Sequence, residues 1–80
     1  MPLVVREGGI EFIIHTRELP FEPPHVHVRF AGQEVRIELY GGIFMEEPPE
    51  GMRKRIRELY AKYSKKIYEA WLQIHNEGGR

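Results

Sequence analysis

The stretch that most constrains this chain runs from His25 to Leu39. Val26, Val28 and Phe30 alternate with His25, His27 and Arg29, and after Ala31-Gly32 Val35, Ile37 and Leu39 alternate with Glu34, Arg36 and Glu38. That period of two marks two half-buried strands. Their register follows, because cross-strand partners must share a face of the sheet. A two-residue turn at Ala31-Gly32 sets Val28 opposite Val35 and Val26 opposite Ile37; on the other face Arg29 meets Glu34, His27 meets Arg36 and His25 meets Glu38. A four-residue loop would set Arg29 against Arg36, a like-charge pair. A three-residue loop would set Val28 against Arg36 and mix the faces. The two-residue turn is therefore the expected one, with Gly32 supplying positive φ.

The flanking segments extend this hairpin into a sheet. Leu3-Val4-Val5-Arg6 and Ile10-Glu11-Phe12-Ile13-Ile14-His15, separated by Gly8-Gly9, read as a first hairpin, strands over 3–6 and 10–15. Ile10, Phe12 and Ile14 are expected in the core. Pro20, Pro23 and Pro24 make 16–24 an irregular connection, stiff where Pro23-Pro24 delivers His25 to the third strand. The third and fourth strands are expected over 25–30 and 33–40, and Ile43-Phe44-Met45 as a short edge strand over 43–45. Beyond Glu46-Glu47-Pro48-Pro49-Glu50, the positions Met52, Ile56, Leu59, Tyr60, Tyr63, Ile67, Ala70, Trp71 and Ile74 recur in steps that keep one helical face apolar, predicting a helix over 49–77. Gly78-Gly79 is the expected stop. The expected fold class is α+β, one domain over 1–80: an antiparallel sheet of four or five strands covered on one face by a single long C-terminal helix. So small a core argues for a homo-oligomer, with Ile13, Phe44 and Leu72 as apolar contacts outside the main core.

Composition narrows the function classes. Twelve basic and twelve acidic residues balance, so no overall field draws the chain to nucleic acid or an acidic membrane. Cysteine is absent, which excludes disulfides and thiolate chemistry. The longest apolar runs are too short to span a bilayer and the N-terminus has no signal-peptide pattern, so a cytoplasmic protein is expected. Arg53, Lys54, Arg55, Arg57, Lys62, Lys65 and Lys66 spread around the polar side of the helix, the pattern of a solvated face more than of a phosphate-binding ridge.

Two histidines carry the candidate chemistry. His25 and His27 point the same way from one strand, with Cα atoms about 6–7 Å apart. Both imidazoles can lean toward one divalent metal such as zinc, with Glu38 as third ligand and His15 as a fourth. Against that, Arg36 opposite His27 would set a positive charge beside the ion. The alternative is a solvated sheet face in which His25, His27, Arg29, Arg36 and Glu38 form a binding surface. The histidines also titrate near neutrality and suit acid–base work, but no Ser, Thr or Cys nucleophile lies near them in sequence.

Pro23-Pro24-His25-Val26-His27, the alternating hairpin, the Glu-Pro break and the helix with Trp71 resemble the prokaryotic family catalogued as domain of unknown function 4160, from Ile10 onward. That family usually carries an Asp-His pair just before the prolines, where this chain has Pro20 and Phe21. The departure removes one histidine from any shared site. The resemblance implies a partner role beside small neighbouring proteins in toxin–antitoxin-like pairs. Together these readings favour a non-enzymatic interaction domain, with a metal-dependent hydrolase or nuclease acting on RNA through His25 and His27 as the rival.

Overall fold

The computed structural model describes residues 3–16 and 22–78. Five strands, β1 (Leu3–Glu7), β2 (Ile10–Ile13), β3 (His25–Phe30), β4 (Gln33–Glu38) and β5 (Ile43–Phe44), precede one helix, α1 (Arg53–Gly78). They form an antiparallel sheet in the order β1-β2-β3-β4-β5, an α+β arrangement whose strands follow one another as they do in sequence.

The β3–β4 register is the one the face rule demands, from Phe30 opposite Gln33 to His25 opposite Glu38. Both residues of its turn have positive φ, 47° at Ala31 and 75° at Gly32, the geometry of a type I′ turn. The ladder reaches one step past His25, where the Leu39 amide donates to the Pro24 carbonyl at 2.9 Å. Pro24 lacks an N–H but offers its carbonyl, so proline is tolerated at this strand entry.

The face bearing Phe12, Val26, Val28, Val35 and Ile37 packs under α1, whose Ile56, Leu59 and Ile67 are buried against it. Met52, Tyr60, Tyr63, Ala70, Trp71 and Ile74 flank them, so the whole apolar stripe meets the sheet. At one end Glu7 accepts hydrogen bonds from the Tyr63 hydroxyl and, at 3.2 Å, the Lys62 ammonium. These contacts hold its carboxyl below the usual range.

Several boundaries differ from expectation. The helix begins at Arg53 rather than Pro49, because Gly51 takes a left-handed φ of 88° and turns the chain just ahead of it. The glutamates expected in its first turn stand before it, and Glu47 pairs with Arg53 at 3.0 Å. The helix runs through Gly78; Gly79 lies outside the described residues. β2 stops at Ile13, and β4 stops at Glu38 where the chain turns toward β5. Ile13, named above with Phe44 and Leu72 as an apolar contact outside the main core, is buried, because the face opposite the helix is also covered. No helix among the described residues is long and apolar enough to cross a membrane.

A candidate histidine–carboxylate centre

The sheet face opposite α1 carries His25 and His27, and it is not the open surface expected from alternation. His25 is 1% exposed and His27 6%. Contacts from outside the hairpin close this face. His15, just past the end of β2, stacks on His27 with ring centroids 3.5 Å apart and planes 6° from parallel. The Pro23 carbonyl lies 2.8 Å from His25 Nδ1, and Glu22 reaches Arg36.

Those contacts assign protons. A carbonyl and a carboxylate can only accept, so His25 Nδ1 donates to Pro23 and His27 Nδ1 donates to Glu34 Oε2, 2.8 Å away. Each ring orientation is thereby held by a hydrogen bond through Nδ1. The two rings lie 5.0 Å apart, tilted by 60°.

The carboxylate that reaches His27 is Glu34, not its direct partner on β4. His27 faces Arg36 in the ladder, and Glu34 is the diagonal neighbour two residues earlier. Such diagonals are within reach of long side chains in a twisted sheet. Arg36 turns away instead. Its Nε donates to Glu46 Oε2 at 2.9 Å, its backbone N–H to Glu46 Oε1 at 2.8 Å, and its Nη1 to Glu22 at 3.1 Å. The Glu46 hydrogen bonds push the guanidinium above its usual range and hold the Glu46 carboxyl below its own. The positive charge anticipated beside the histidines is therefore compensated by two carboxylates.

One donor atom each from His15, His27 and Glu34 lies within 4.8 Å of the others. This set contains His27 from the expected trio of His25, His27 and Glu38, and His15, the expected fourth ligand. Glu38 stands opposite His25 in register, but lies near the Tyr60 hydroxyl, whose proton it helps burial to retain. Of the residues expected to form a binding surface, Arg29 is exposed and sits 3.6 Å from Glu34, while Arg36 and Glu38 are half-buried. Glu34, Glu46 and Glu22 did not stand out in the sequence. For Glu34 the diagonal rule was available; for the other two, loop residues meeting a strand, no local pattern was. The positions of Pro20 and Phe21 lie outside the described residues.

Comparison with curated proteins and with solved structures finds no match. The profile of a domain of unknown function (DUF4160) matches residues 9–72, a span that holds the whole histidine–carboxylate centre and more than half of the chain, and the chain therefore belongs to that family.

Proposed function

We propose that this protein is a small interaction domain that pairs with a second small protein, as one component of a toxin–antitoxin-like pair, and that the contact is made at the β5 edge of the sheet. The observation that carries this reading is the exposure of Tyr40 (70%) and Ile43 (61%) at β5, the last strand in the sheet order. On the other side of that strand, the Arg53 and Arg57 guanidiniums lie 5.0 and 5.8 Å from the centre of the Phe44 ring. A two-residue edge strand flanked by apolar and cationic side chains suits an extended, acidic segment of a partner added as a sixth strand. The buried histidine face plays no part in that contact.

The test is co-purification with the product of any small gene adjacent to its own, with association followed by sedimentation and titration calorimetry. A stoichiometric complex weakened about tenfold or more by Ile43→Lys or Arg57→Glu is the expected result. Absence of a complex, or one indifferent to both substitutions, overturns the reading. A dimer of the chain alone that either substitution dissolves assigns the edge to self-association instead.

One observation favours the rival reading, a metal-dependent hydrolase or nuclease acting on RNA: His25 and His27 are both oriented by hydrogen bonds through Nδ1, as acid–base or ligating imidazoles are. Divalent-ion-dependent cleavage of RNA that is lost in His27→Gln, with the fold retained, would support it.

A further inference from the structure

We propose that His15, His27 and Glu34 bind one divalent first-row cation, zinc being the probe of choice, which clasps the end of β2 to the β3–β4 hairpin. This site is separate from the β5 edge, and it shares His27 with the rival catalytic reading without resting on it.

The donor set is the first ground. Two imidazoles and one carboxylate form the nitrogen–oxygen set that zinc accepts when three protein ligands leave a fourth position open. Their donor atoms lie within 4.8 Å of one another, and they come from three segments: His15 from the chain after β2, His27 from β3 and Glu34 from β4. Zinc–nitrogen bonds of about 2.0–2.1 Å set tetrahedral ligands about 3.4 Å apart, so closing the shell takes a movement of about an ångström.

The environment is the second. His27 is almost fully buried, while the Glu34 side chain is 40% exposed, so an ion enters past the carboxylate and meets imidazoles from which most water is excluded. Arg36, the cation directly opposite His27, is engaged by Glu46 and Glu22 and does not repel the ion. His25, tied to the Pro23 carbonyl, forms the inner wall.

The stacking of His15 on His27 defines what must move. Parallel rings keep their lone pairs in separate parallel planes, so bringing both onto one ion requires one ring to tilt out of the stack. The β2–β3 ladder ends at Ile13, so His15 lies beyond it, and the movement the site requires is assigned to the His15 ring. An ion on the Glu34 side of His27 takes the place of the Nδ1 proton, which moves to Nε2 of the same ring through solvent. Starting from the neutral ring, that exchange leaves the imidazole neutral, and no other proton changes place.

The experiment is a calorimetric titration of chelator-stripped protein with Zn²⁺, paired with native mass spectrometry. One ion per chain is expected. His15→Ala and Glu34→Gln should each weaken binding by about 10–100-fold, and Glu38→Gln should leave it unchanged. His15 is half-buried and Glu34 exposed, so both variants should fold, which circular dichroism verifies. Resonances of the His15 ring should shift on binding as the stack opens. Failure of wild-type protein to take up stoichiometric Zn²⁺ overturns the site. So does binding that survives both variants, or binding that Glu38→Gln abolishes.

Discussion

The turn at Ala31-Gly32 offers the cleanest test of how the site is assembled. Ala31 has φ of 47°, a left-handed conformation in which an L-residue with a Cβ is strained by about 1–2 kcal/mol. Asparagine tolerates this region far better and is the preferred first residue of a type I′ turn. Ala31→Asn should therefore stabilise the protein by about 1 kcal/mol. Ala31→Gly should gain less, because glycine gives back about 0.5–1 kcal/mol in backbone entropy. Ala31→Val, β-branched and worst suited to positive φ, should lose stability. In a domain of 80 residues, about 1 kcal/mol corresponds to a Tm change of about 4–8 °C. The assay is thermal unfolding by circular dichroism, backed by urea denaturation in which the midpoint moves and the slope does not. If Ala31→Asn leaves Tm unchanged while Ala31→Val is tolerated, the tip is not a type I′ turn. The register that brings Glu34 to His27 then fails with it.

Further expectations concern the covered face and the core. Glu46 has a folded-state pKa below its ordinary 4.5 because Arg36 donates hydrogen bonds to it. Its contribution to stability is present above about pH 4.5 and is lost as pH falls through the lower folded value, so urea midpoints should drop on acidification. In Glu46→Gln the midpoint at neutral pH should be lower and that acid-dependent drop smaller; an unchanged acid limb would show that the pair adds nothing. Ile67→Ala removes a side chain with no exposure and should cost about 2–5 kcal/mol, whereas Tyr68→Ala, one residue on and 37% exposed, should cost under about 1 kcal/mol by the same urea assay. Equal losses at the two positions would contradict the helix phase. Because histidine ligates as neutral imidazole and a metal competes with protons for it, zinc affinity should fall on acidification. Affinity that is flat with pH in the titration would assign the ion to carboxylates alone.

The sheet was legible because its information is local. Alternation over 25–30 and 33–39 sets which side chains share a face, and only one short turn keeps like charges apart, so the pairing of Val28 with Val35 and of His25 with Glu38 follows from arithmetic. The helix was legible for the same reason: nine positions in phase from Met52 to Ile74 leave one consistent face, and each of them meets the core. Its start was less so, since Pro48-Pro49 reads equally well as a first turn or as a loop, and Gly51 decided for the loop.

The site was legible only in its parts. Alternation says that His25 and His27 leave the helix-covered face; it does not say whether water or more protein awaits them there. Their burial depends on the return of the chain between β2 and β3, which sets His15 on His27 and the Pro23 carbonyl against His25. Direct pairing was likewise the wrong guide to the partner of His27. Arg36 faces it across the ladder, but a guanidinium beside two buried imidazoles is a desolvated charge, and it relaxes by leaving for Glu46 and Glu22. The vacated side of His27 is then filled by the diagonal carboxylate of Glu34. These are one event in three residues. Arg36→Met, which keeps the stem but removes the charge, should leave Glu34 on His27 and zinc affinity within about threefold of wild type. A larger change by calorimetric titration would mean that Arg36 still acts on the imidazoles, and that its two carboxylates do not cancel it.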